Sequence, residues 1–188
     1  MKTLAIFASG KGSNTKNLIH YFNRHPKIQI GLIVSSHQDA GVIAISKSAR
    51  IPTFVLDRSS YYGSGEQLLN KLDELKIDGI VLAGFIWLIP TYLIEKYPDR
   101  ILNVHPALLP NYGGKGMYGM KVHEAVWKHR EKQTGISIHL VNEQYDEGTV
   151  IFQAHCTIET QDLPLDIAQK VHALEFHYLP KVIESHFT

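Results

Sequence analysis

The chain has 188 residues, 44% of them hydrophobic and 20% charged, a composition that excludes a disordered segment or a membrane-embedded protein and allows a core covering roughly 70% of the unfolded surface. Nineteen basic and eighteen acidic residues leave a formal net charge of +1, which excludes the strong positive field that a nucleic-acid partner would require. The single cysteine, Cys156, has no internal partner for a disulfide, and the first apolar run, Leu4 to Phe7, is far too short to span a membrane.

Short apolar runs rich in β-branched residues alternate with helical patterns, the signature of βα units feeding a mostly parallel sheet with helices on both faces. Strands are expected at Thr3 to Ala8, Gln29 to Ser35, Thr53 to Leu56, Gly79 to Ala83 and Ile101 to Val104. Helices are expected at Thr15 to Arg24, where Leu18, Ile19 and Phe22 share a face, at Gly41 to Ala49, and at Gly65 to Leu75. Beyond residue 110 come a glycine-rich loop from Tyr112 to Gly119, a helix near Val122 to His129, and two strands at Gly135 to Val141 and Val150 to Ile158. A long helix from about Leu165 to His186 should be interrupted or ended by Pro180. No repeat, low-complexity tract or linker divides the chain, so a single domain over residues 1–188 is expected. With no signal sequence before the first apolar run, the expected address is the cytoplasm.

Ser9-Gly10-Lys11-Gly12-Ser13-Asn14 follows the first strand and opens a helix. Unpaired backbone N–H groups and the helix dipole make such a turn an anion site, and Gly12, Ser13 and Asn14 are the candidates to hold a phosphate. The turn lacks the spacing of an ATP-binding P-loop. It also lacks the third glycine, at Thr15, and the acidic end of the second strand, which reads Ser35-Ser36-His37, that a dinucleotide site would need.

Asn103 and His105 lie two residues apart at a strand end, so the period of 2 sends an amide and an imidazole to the same side of the sheet. Pro106 and Pro110 stiffen the segment that leaves the strand. Such a pair suits acyl transfer through a tetrahedral intermediate, whose oxyanion needs preorganised donors. A histidine with a reference pKa of about 6.5 becomes a better cation beside a carboxylate. Asp146, in the loop Asn142 to Gly148, is the best candidate for that carboxylate, although Glu143 and Glu147 carry the same charge and periodicity does not choose among the three.

Four ordered stretches, Gly10-Lys11-Gly12-Ser13-Asn14, Ala83-Gly84-Phe85, Asn103-Val104-His105-Pro106-Ala107-Leu108-Leu109-Pro110 and Asp146 ahead of Gly148, closely resemble the glycinamide ribonucleotide formyltransferase family along nearly the whole chain. The resemblance implies a Rossmann-like formyltransferase fold and transfer of a formyl group from the co-substrate 10-formyltetrahydrofolate to the amine of 5-phosphoribosylglycinamide, in de novo purine biosynthesis. It implies the ribotide phosphate at Gly12, Ser13 and Asn14, with Glu175 also holding the ribotide, and the folate near Ile86, Trp87, Leu88, Ile89 and Asn103. Asn103 and His105 would be oxyanion donors, and Asp146 would raise the histidine's pKa and assist proton removal through water.

The sequence departs from the family pattern at Trp87, where many members carry an arginine, near Tyr61, for which Arg58 could substitute in space, at Glu147, and in a longer Gly113-Gly114-Lys115-Gly116 stretch. His139 matches a family position and is expected to support the site from a strand. The other nine histidines and the lone cysteine show no metal-ligand spacing, so no metal is expected, and no Gly-x-Ser-x-Gly elbow points to a serine hydrolase. The rival readings are a formyltetrahydrofolate hydrolase, a methionyl-tRNA formyltransferase and a non-catalytic nucleotide sensor. About 40 residues after Asp146, together with the near-neutral charge, argue for small-molecule partners and against tRNA. A monomer or homodimer with neither nucleic acid nor membrane as partner is the expectation.

Overall fold

A computed structural model describes residues 1–188. Seven strands form one sheet in the order β3-β2-β1-β4-β5-β6-β7. They are β1 (Lys2–Phe7), β2 (Ile28–Ser35), β3 (Thr53–Val55), β4 (Gly79–Leu82), β5 (Ile101–His105), β6 (Gln133–Leu140) and β7 (Val150–Thr157). The first five pair in parallel, and β5–β6 and β6–β7 pair antiparallel, so the mostly parallel Rossmann-like architecture is as the alternating pattern requires. Helices α1 (Ser13–Tyr21), α2 (Gly41–Ala49), α3 (Arg58–Tyr62), α4 (Glu66–Glu74), α5 (Thr91–Lys96), α6 (Met120–Lys128) and α7 (Pro164–Phe187) complete the chain. No helix is long and apolar enough to cross a membrane.

Strand alternation divides the interior into two cores. Leu4 and Ile6 of the first strand, and Ala8 just after it, face one cluster, built with Leu18, Leu102, Val104, Ile136, Ile138, Ile167 and Leu179. Ala5 and Phe7 face the other, with Leu68, Leu72, Leu93 and Ile101. Each fully buried leucine or isoleucine contributes about 1.5–3 kcal/mol of transfer free energy. The same alternation puts Asn103 and His105 on the face of Ile101, and the cross-strand register Asn103↔His139 and His105↔Ser137 lays two β6 side chains beside them.

Two short helices, α3 and α5, are additions to the expected elements. Five and six residues are too few to establish a 3.6-residue period, although the Asp57 cap, whose carboxylate accepts from the Ser60 N–H at 2.8 Å, is a local signal for α3. The expected break at Pro180 is wrong: α7 runs unbroken from Pro164 to Phe187. Proline cannot donate to the carbonyl four residues earlier, that of Phe176, and this carbonyl instead accepts a 2.9 Å hydrogen bond from Asn17 Nδ2 on α1. A neighbouring helix thus satisfies the group that would otherwise have favoured a break. Helix α1 also begins two residues earlier than expected, which places Ser13 and Asn14 in its first turn.

Candidate active site

β1, β4 and β5 are adjacent and parallel, so their carboxyl ends open onto one crevice, the usual ligand position in open α/β sheets. A cleft of about 650 Å³ occupies that position. Its lining includes Gly12, Ser13 and Asn14 from the turn after β1, Ile86 to Ile89 from the segment after β4, Asn103 and His105 from β5, Asp146 from the β6–β7 loop and Glu175 from α7. Every expected site residue therefore meets in one volume, of a size that holds small-molecule ligands.

At the turn, Gly12 has φ +79°, and a Cβ there would come within 2.9 Å of Ile45 Cδ1 and 3.0 Å of Val42 Cα. Glycine meets both demands and lets the turn lie against α2. The first-turn N–H groups of α1 have no partner within the helix and open toward the cleft, and the Ser13 side chain is exposed beside them. Asn14 is buried; its Nδ2 donates to Glu175 Oε2 at 2.9 Å, which also lies 2.9 Å from His172 Nδ1. Glu175 is therefore a buried wall of the cleft, only 9% exposed, rather than a solvated helix charge.

At the far side, Asn103 Nδ2 lies 3.2 Å from Asp146 Oδ1 and 3.0 Å from His139 Nε2. His139 Nδ1 lies 2.8 Å from the Leu140 carbonyl, which only accepts, so Nδ1 is the donor there, while Nε2 faces both the Asn103 amide and, at 3.5 Å, Asp146 Oδ1. The Asn103 amide is thereby held between the imidazole and the carboxylate. This cross-strand support by His139 follows from the pairing register.

His105 Nε2 lies 2.7 Å from the Tyr112 carbonyl, and Nδ1 lies 3.4 Å from Asp146 Oδ2. Asp146 adopts φ +58°, which aims its carboxylate inward, and Oδ2 accepts from the Gly114 N–H at 2.9 Å. Gly148 lets this loop pass against β6, since a Cβ there would run into the Leu140 carbonyl. The geometry selects Asp146 over Glu143 and Glu147: it is the carboxylate that reaches His105, Asn103 and His139 together.

The electrostatics differ in one respect from the expectation for His105. Burial pushes its pKa down and outweighs the upward pull of Asp146 and of the Tyr112 carbonyl, so the ring titrates below the ordinary histidine value. Asp146 does act in the expected direction, but desolvation prevails. Burial pushes the Asp146 carboxyl up, but the proximity of His139, the charge of His105 and the Gly114 N–H more than offset it, leaving the group below the usual carboxylate range.

The folate-side departures also have a structure. Trp87 packs at 5.4 Å from the buried Tyr61 ring, and the Arg58 guanidinium lies over the rings of Trp87 and Tyr62 at 5.6 and 5.8 Å. One cationic side chain therefore stands at that end of the cleft, held by aromatic faces. Three contributors escape a reading of the sequence: the Tyr112 carbonyl, the Gly114 N–H, and His123, which is buried and lines the cleft. Backbone contributions leave no residue-type signal, and His123 lies on a helix whose spacing reads as ordinary amphipathic packing.

A parallel sheet that sets a turn of unpaired N–H groups opposite an amide, an imidazole and a carboxylate is the arrangement suited to the group-transfer class, in which one substrate is anchored while a carbonyl of the other is activated. Known proteins agree with that class. The formyl transferase family matches residues 2–183, and the chain belongs to that family. The phosphoribosylglycinamide formyltransferase of Bacillus subtilis (strain 168) is 31% identical over 188 residues, covering 98% of this chain and 94% of the relative. The chloroplastic phosphoribosylglycinamide formyltransferase of Arabidopsis thaliana is 38% identical over 176 residues, and the match covers 90% of this chain but 60% of that protein. Against this relative and that of Vigna unguiculata, the chain spans 60% of the length. The crystal structure of glycinamide ribonucleotide transformylase 1 from Geobacillus kaustophilus superposes with a TM-score of 0.91 at 29% identity, covering 100% of both chains.

Proposed function

We propose that this chain, as one formyltransferase domain, moves the formyl group of 10-formyltetrahydrofolate onto the amine of 5-phosphoribosylglycinamide, giving the N-formyl ribotide and tetrahydrofolate in de novo purine biosynthesis. The observation that carries the reading is the meeting of Asn103, His105 and Asp146, the carboxylate lying 3.2 Å from the Asn103 amide and 3.4 Å from the His105 ring, in the same cleft as the Gly12–Asn14 turn. The phosphate takes the turn, Glu175 and Asn14 hold the ribotide, and the folate lies along Ile86, Trp87, Leu88, Ile89 and Asn103. We place the reaction in the cytoplasm.

In this reading the substrate amine attacks the formyl carbon directly. Neutral His105, its Nε2–H held by Tyr112, presents the Nδ1 lone pair, which takes the proton from the attacking nitrogen, directly or through a water on Asp146. The imidazolium so formed stands between the Asp146 carboxylate and the new oxyanion and stabilises both charges. Asn103 serves the oxyanion by exchanging its 3.2 Å bond to Asp146, the longer of its two. The proton then passes to the folate nitrogen as the carbon–nitrogen bond to it breaks, so proton and electron pair are both accounted for.

Incubating the protein with both substrates and following folate absorbance tests the proposal. Ribotide-dependent deformylation is the expected result; loss of formyl without ribotide would indicate a hydrolase, and silence a sensor. Ser13→Ala should raise the ribotide KM about tenfold, the scale of one hydrogen bond to a charged group, with kcat at saturation near the wild-type value. A kcat loss at unchanged KM would move Ser13 out of the phosphate site.

A further inference from the structure

Tyr112 holds two ends of a connection between the protein surface and the catalytic imidazole. Its backbone is left-handed, with φ +59°, a conformation that an aromatic residue keeps only where its surroundings enforce it. Outward, its phenol donates to Glu131 Oε1 at 2.7 Å and lies 3.1 Å from His129 Nδ1, with the two rings tilted together at 5.6 Å. Inward, its carbonyl accepts from His105 Nε2 at 2.7 Å. The next residue leaves no slack: a Cβ on Gly113 would lie 2.5 Å from Leu109 Cδ2 and 3.2 Å from Asp146 Cβ.

A neutral imidazole has one N–H, and a carbonyl can only accept, so this contact assigns the proton to Nε2 and the lone pair to Nδ1. Nδ1 is the nitrogen beside Asp146, at 3.4 Å. Without the carbonyl, Asp146 would draw the proton to Nδ1, and the ring could no longer accept one on the side where a substrate amine reacts. The other ionisable groups acting on the ring are His139 on β6 and Glu175 on α7, and His123 on α6 stands within their field; none of them contacts Nε2.

We infer that Tyr112 is a positioning residue, whose phenol, clamped by Glu131 and His129, holds its carbonyl on His105 and so fixes the histidine tautomer needed for proton transfer. The inference rests on the proposed formyl transfer, and its test separates the two. The ¹⁵N chemical shifts of the His105 ring, recorded above its pKa, report the tautomer without any substrate, and steady-state kinetics report turnover.

The wild-type ring should show the Nε2–H form. Tyr112→Phe and Glu131→Ala should each admit a substantial Nδ1–H population and lower kcat about three- to tenfold, the scale of one net hydrogen bond, with ribotide KM unchanged. Glu131→Gln, which still accepts from the phenol, should restore both readouts. An unchanged tautomer in Tyr112→Phe overturns the inference, whether turnover stays or falls, because a fall without a tautomer change marks a merely structural role. A tautomer shift in a protein whose wild type transfers no formyl group would support the positioning role and refute the reaction instead.

Discussion

Replacing His105 by alanine is expected to lower kcat by two to four orders of magnitude, the range for losing a residue that serves as acid–base group and charge stabiliser. His105 is 3% exposed and its two nitrogens face the Tyr112 carbonyl and Asp146, so removing the ring strips the site of the imidazole beside that carboxylate, the proton acceptor of the proposed reaction. The Gly12–Asn14 turn, the proposed phosphate site, follows another strand, so ribotide affinity should be kept. Ribotide binding measured by calorimetry therefore separates a chemical defect from a collapsed fold: retained binding with lost turnover is the expected pair. Near-normal turnover would remove His105 from the mechanism.

Asp146→Asn should cost turnover on a similar scale, about two to three orders of magnitude, and should also move the pH profile. Asp146 is the leading influence raising the His105 pKa against burial. Without that charge, burial acts with less opposition and the imidazole pKa falls further. A base is active in its neutral form, above its pKa, so the acid limb of kcat/KM should lie below the ordinary histidine value in the wild type and shift to still lower pH in the variant. A limb that stayed in place, or moved upward, would show that the titrating group is not His105 coupled to Asp146.

Much of this site is legible in the amino-acid sequence, for definite reasons. The i, i+2 spacing of Asn103 and His105 fixes a shared face once the segment is a strand, and a glycine turn between strand and helix fixes where unpaired backbone N–H groups open onto the cleft. The choice of Asp146 is not legible from periodicity, because it depends on a left-handed backbone at one loop residue and on how closely Gly148 lets the loop approach β6. Continuation of α7 through Pro180 is equally hidden. A local rule forbids it, and the compensating donor, Asn17, lies 159 residues away in the chain from the carbonyl it serves. The sign of the His105 shift depends on how deeply the ring is buried, which spacing does not encode.

The Asn17 contact is one of several that join α1 to α7. Asn14 reaches Glu175 at 2.9 Å, and Tyr21 reaches Glu184 at 2.7 Å, across separations of 161 and 163 residues. One wall of the cleft is thus made by two helices, α1 and α7, that lie far apart along the chain. During synthesis a chain emerging from the ribosome can pair β1 with β2 and β4 while the pocket still lacks its second side. That side of the cleft closes only when α7 docks on α1, after the β1, β2 and β4 pairings that support it can already have formed.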